Sequence, residues 1–120
     1  MDFDMQALAA MPQHTLTTQT PWYKGPKKFT GPLLRDVLVA AGAQGDALTA
    51  IALNDDKVEA PMEDVRRFDV LLARLLDDQP MSTRDKGLLF IVYPFDRHVE
   101  LRSERYYSRS AWQLRRIQVK

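Results

Sequence analysis

The chain has 120 residues, 45% hydrophobic and 28% charged, a composition that suits one ordinary globular domain and excludes a long disordered tail. Seventeen basic residues against 16 acidic ones leave a net charge of +1, without the cationic surplus that general nucleic-acid binding requires. Cysteine is absent, which removes disulfides, thiolate metal sites, iron–sulfur clusters and a cysteine nucleophile together.

Phe3, Ala7, Leu8 and Met11 have helical spacing, and Pro12 stops the run. The β-branched stretch His14 to Thr20 predicts a strand. Pro21 to Gly31 reads as loop. Leu33, Leu34, Val37, Leu38 and Ala41 form one apolar stripe of a helix that Thr30 or Gly31 can cap, Pro32 can open and Gly42 can end. Leu48 to Leu53 and Lys57 to Ala60 read as a hairpin around Asn54-Asp55-Asp56.

Pro61 opens one helical turn with Glu63 and Asp64 at its positive end. Phe68 to Leu76 fits a helix through its leucines and a strand through its alternation, and Asp77-Asp78-Gln79-Pro80 is a turn in either case. The apolar run Leu88 to Tyr93 predicts a strand covered on both faces. Leu101 to Ser108 reads as a short helix. Trp112 to Val119 reads as a terminal strand whose apolar phase shifts, which a bulge near Arg115-Arg116 explains. The expected class is therefore mixed α/β (α+β), β-rich, with residues 1–120 as a single domain.

No stretch approaches the roughly 20 apolar residues of a membrane helix, so no membrane insertion is expected. Met1-Asp2-Phe3-Asp4 lacks a basic, then apolar, leader; the chain reads either as cytoplasmic or as a mature form whose leader has been removed. Asn54 to Asp78 holds eight acidic and four basic residues, and Arg97 to Lys120 seven basic and two acidic. The C-terminal run is thus a candidate face for an anionic ligand or partner.

His14 and His98 have no ligand-spaced companion, and no serine has a neighbouring histidine to act as base. Metal ligation and nucleophilic catalysis are unsupported. Three clusters remain. Thr17-Thr18-Gln19-Thr20-Pro21-Trp22 ends a strand at an indole, which either packs over the core edge or offers a stacking surface. Arg84-Asp85-Lys86-Gly87 sets two cations around a carboxylate, as a solvated turn or an anion seat. Tyr106-Tyr107-Ser108-Arg109-Ser110-Ala111-Trp112 is dense in aromatic and hydrogen-bonding groups, suited to a pocket wall or to an edge of core.

Trp22, then Phe29-Thr30-Gly31-Pro32-Leu33-Leu34-Arg35-Asp36-Val37-Leu38 and Gly42, resembles a stretch of the sulfite-oxidase-type molybdopterin-binding domain. Ala52-Leu53-Asn54-Asp55, Pro61-Met62-Glu63-Asp64, Lys86-Gly87 leading to Val92-Tyr93-Pro94, and Arg109-Ser110 before Trp112 and Ile117 continue it in order over most of the chain. The resemblance implies a β-rich mixed fold around a pterin cleft, starting at about the first helix of the family and so shortened at its N-terminus. In the enzymes a cysteine thiolate holds molybdenum on the strand before the tryptophan. Thr18 aligns with that position, with an offset of two as an alternative. Phe90 stands where the enzymes carry an arginine, and Ala111 where they carry a lysine.

The wording Thr-Thr-x-Thr-Pro-Trp, Arg-Asp-Val-Leu and Tyr-Ser-Arg-Ser-x-Trp-Gln-Leu is similar to that of small cysteine-free relatives, the PruR-like periplasmic pterin-binding regulators. Here Asp56 replaces their usual aromatic residue and Leu88 their usual proline. That resemblance implies a reduced pterin bound without metal, a periplasmic location, and action on a membrane signalling partner that makes or degrades cyclic di-GMP and so influences biofilm formation. Pterin chemistry then asks for three things: a stacking ring from Trp22, Tyr106 or Tyr107, with Trp112 in the same cluster; a carboxylate for two adjacent donors, with Asp55 preferred over Asp36 or Asp85; and a donor for the carbonyl edge from Arg109 or Arg84. The alternatives are a molybdopterin-dependent oxidoreductase, and an interaction domain whose cleft has closed on Trp22 and Arg109.

Overall fold

Strand β1 (His14–Thr18) alternates between sheet faces, burying Leu16 and Thr18 and exposing His14, Thr15 and Thr17. In this computed structural model, which describes residues 5–81 and 89–119, β1 follows helix α1 (Met5–Ala10). It pairs antiparallel with β2 (Lys27–Gly31). The second half of the expected 21–31 loop is thus a strand. Lys27 and Lys28 carry no local strand signal, but β2 also pairs with β6 (Leu75–Leu76). Partners on both sides fix it and bury Phe29 completely.

Gly31 marks a close approach between β2 and the following sheet. A Cβ there would lie 2.1 Å from the Leu72 carbonyl oxygen. Beyond it the chain runs beside β5 (Leu71–Ala73): the Leu72 N–H donates to Pro32 O and the Leu34 N–H to Val70 O, both at 2.9 Å. Neither Thr30 nor Gly31 therefore caps α2 (Leu34–Ala40). Leu33 occupies the cap position without a side-chain hydrogen bond. Gly42, at φ +69°, does end this helix, and the Ala43 N–H closes it on Leu38 O.

A second sheet has the order β4-β3-β9, from β3 (Ala47–Ala52), β4 (Lys57–Pro61) and β9 (Leu114–Val119). Its β3–β4 hairpin turns through Asp55 at φ +69°. The expected bulge is present. Ile51 faces Arg116 while Ala52 faces Leu114, leaving Arg115 as the extra residue of β9. Helix α3 (Met62–Arg67) follows β4. The ambiguous 68–76 segment is extended: β5 pairs with β8 (Phe90–Val92), and both are buried along their whole length. Asp77 and Asp78, both at positive φ, turn β6 into β7 (Gln79–Pro80), so Gln79 and Pro80 are paired strand rather than turn.

The helix expected over 101–108 is two pieces, a 3-10 turn Val99–Leu101 and α4 (Glu104–Tyr107), separated where Ser103 is extended. Segment 111–114 joins the sheets. The Ile91 N–H donates to Ala111 O, Phe90 bridges Trp112, and the Leu53 N–H donates to Gln113 O at 2.8 Å, with Gln113 at φ +55°. Phe29, Leu34, Leu72, Phe90, Tyr93, Phe95, Leu101 and Ile117 centre the core between these layers. The architecture is the α+β, sheet-rich class expected. No helix among the described residues is long and apolar enough to cross a membrane.

Candidate functional site

Where the chain passes from β8 to β9 it leaves a cleft of about 350 Å³, within the range of small-molecule sites. Ala50 and Ala52 of β3 and Val58 of β4 line one side. Their small or short side chains leave the space that larger residues would fill. Trp22, in the loop after β1, and Trp112 and Tyr107 supply the aromatic walls. Asn54 and Asp56 stand on the side of the hairpin turn, and Glu104, Ser108 and Ser110 on the side of α4 and the residues after it.

Trp22 is half-buried and serves both the core and the cleft. Its ring meets those of Phe90 and Phe95 edge-on at 5.5 and 6.3 Å, and those of Trp112 and Tyr107 at 5.4 and 6.0 Å. The indole thus rests on the core and lines an open cavity. Tyr106 and Tyr107, adjacent on α4, part company. Tyr107 lines the cleft and packs on Phe95 at 5.1 Å, whereas Tyr106 packs on Phe68 and Tyr93 and lies under the Arg109 guanidinium.

Arg109 also turns away from the cleft. Its Nη1 donates to Asp64 Oδ2 at 2.8 Å, and the Tyr93 hydroxyl donates to the same oxygen at 2.8 Å. Burial first, then the hydrogen bond to Asp64 and the charge of Asp64, push the Tyr93 phenol far above its ordinary pKa. Asp55 does not line the cleft. It is exposed and held by Arg115, because the bulge presents that arginine toward the hairpin turn. Asp36 lies in the first turn of α2. Arg84 and Asp85 lie outside the described residues.

Trp22, Tyr107 and Trp112 are therefore brought together, and Asp55, Tyr106 and Arg109 are engaged elsewhere. Asp56, which the residue reading passed over for Asp55, is the hairpin carboxylate that lines the cleft. Asn54 Nδ2 donates to Asp56 Oδ2 at 3.0 Å, and the Asp56 N–H returns a bond to Asn54 Oδ1 at 3.1 Å. The one signal that could have singled it out is its departure from the aromatic residue usual at that position. The cleft is open rather than closed by Trp22 packing on Arg109.

A polar recess of about 490 Å³, lined by Gln19, Thr20, Pro21, Asp96, Arg102 and Tyr107, adjoins the cleft through Pro21 and Tyr107. Thr20 is 8% exposed and its hydroxyl has no hydrogen-bond partner among the described residues. Thr18, the position aligned with the metal-binding cysteine, is fully buried and accepts the Asp96 N–H at 3.0 Å. Neither threonine offers the soft, deprotonated sulfur that a thiolate site requires, so the residues present do not fit a cysteine-held molybdenum. Among the described residues no three His, Cys, Asp or Glu side chains converge to hold a metal ion. An aromatic slot with polar edges is compatible with a pterin.

No family profile matches the sequence, and no curated protein matches it. Among solved structures the chain is similar to the sulfane dehydrogenase SoxCD from Paracoccus pantotrophus, with a TM-score of 0.73 at 20% identity over 96% of this chain. The chain spans about a third of that protein, 33% of its length. At this identity the likeness is one of fold, and it carries the expected architecture: a small, sheet-rich α+β domain like part of the SoxCD structure.

Proposed function

We propose that this chain binds a pterin without metal, in the cleft walled by Trp22, Tyr107 and Trp112. The observation that carries the reading is that cleft: about 350 Å³ between three aromatic side chains, with carboxylate, amide and hydroxyl groups at its edge. A flat bicyclic ring stacks against such walls, and its adjacent N–H donors match Asp56 and Asn54. The SoxCD-like fold and the ordered family resemblance of the sequence support the same ligand class. On the resemblance to the PruR-like regulators, the bound state is passed in the periplasm to a membrane protein that makes or degrades cyclic di-GMP.

Titration calorimetry with a tetrahydropterin and a dihydropterin, kept reduced, tests the reading. Saturable one-to-one binding is expected, with stabilisation of about 2.7 kcal/mol when ligand reaches a hundredfold excess over Kd. No heat, together with an unmoved melting temperature, would overturn it.

A further inference from the structure

Resting on that reading of the cleft, we infer that it selects by charge: Asp56 and Glu104 at its edge admit a neutral or cationic flat heterocycle and reject an anionic one. Two carboxylates, and no Lys, Arg or His, line the cleft among the described residues. Asp56 is held in place by its paired hydrogen bonds to Asn54.

The basic C-terminal run, which the sequence offers as a face for anions, does not supply the missing cation. Arg109 is committed to Asp64 at 2.8 Å and Arg115 to Asp55. Arg102, beside the adjoining recess, lies 3.6 Å from the Asp96 carboxylate and donates from Nε to Phe95 O at 3.0 Å. Each of these three arginines is thus matched by a carboxylate, and none lines the cleft.

An anionic ligand would enter between two like charges within a Debye length of about 8–10 Å, and find no cation among the described residues that line the cleft. A cationic or neutral ligand meets neither obstacle, and the faces of Trp22, Trp112 and Tyr107 attract positive charge. Because Asp56 and Glu104 are solvent-exposed, the discrimination is moderate and yields to salt.

A matched pair of ligands on the full chain tests this: 6-hydroxymethylpterin, which is neutral, and pterin-6-carboxylate. At low ionic strength the neutral compound should bind about tenfold more tightly. The gap should close above about 0.5 M salt, where screening reaches a few ångströms. It should also close in the Asp56→Asn/Glu104→Gln double variant. Equal or tighter binding of the carboxylate, or a gap that survives both salt and the double variant, would overturn charge selection and leave pterin binding standing. If neither compound binds, the pterin reading fails and this inference falls with it.

Discussion

Asp64 Oδ2 accepts two hydrogen bonds of 2.8 Å, one from Arg109 Nη1 and one from the Tyr93 hydroxyl. Asp64 belongs to α3 and Arg109 to the segment that follows α4, so the pair ties the aromatic wall of the cleft to the core across 45 residues of sequence. Asp64→Ala leaves a largely buried guanidinium and a buried phenol without their acceptor. A loss of about 3–5 kcal/mol in stability is expected, read as a lower midpoint in urea unfolding. A change below about 0.5 kcal/mol, the size of an ordinary surface substitution, would mean that the pair is effectively solvated.

Tyr93 makes the fold sensitive to alkali. Its phenol is held protonated by burial and by Asp64, well above the pKa of about 10 it has in an unfolded chain. The folded state therefore keeps a proton that the unfolded state releases above pH 10. This contribution to stability is fully present below that pH. It falls by about 1.4 kcal/mol per pH unit as pH rises further, until the folded-state pKa is reached. Tyr93→Phe should lose this slope, so the stability difference between parent and variant should narrow or reverse from pH 9 to pH 11. Parallel alkaline profiles for the two proteins would count against the shift.

Gly31 is held by geometry rather than by a turn. With a Cβ 2.1 Å from Leu72 O, Gly31→Ala must push β2 away from β5, against backbone rather than a yielding side chain. A cost of about 1–3 kcal/mol or more is expected, with an unchanged denaturant m-value if the fold survives. Stability equal to the parent's would show that the two strands separate freely.

These costs fall on contacts that were legible to different degrees. The α2 stripe, the hairpin around Asp55 and the bulge at Arg115 were legible because each is a local pattern: a 3.6-residue period, a turn cluster, and a phase shift in one strand. Strand β2 was not, because Lys27-Lys28-Phe29-Thr30-Gly31 is extended only by virtue of neighbours 9 to 47 residues away. Within the site, Trp22, Tyr107 and Trp112 were found as members of aromatic clusters. Arg109 was assigned to the ligand because an arginine's partner cannot be read from its own neighbours, and Asp64 lies 45 positions away. Asp55 was preferred over Asp36 and Asp85 because it ends a strand in a turn; that its neighbour Asp56 lines the cleft instead follows from the three-dimensional course of the hairpin, with Asp55 at φ +69°, which composition does not encode.

The chain has two tryptophans, and both line the cleft. A stacked ligand should therefore quench the intrinsic fluorescence, giving a direct binding signal. Trp22→Ala removes one wall, and pterin binding should weaken at least about tenfold, from lost stacking and lost apolar contact. Because Trp22 also rests on Phe90 and Phe95, that variant loses stability as well, and its melting curve must be measured beside its affinity. Ala52→Leu separates the two effects. It fills the cleft from β3 while leaving every core aromatic in place, so it should abolish binding with little change in melting temperature. Undiminished pterin affinity in Ala52→Leu would move the ligand out of this cleft, whatever Trp22→Ala does to the fold.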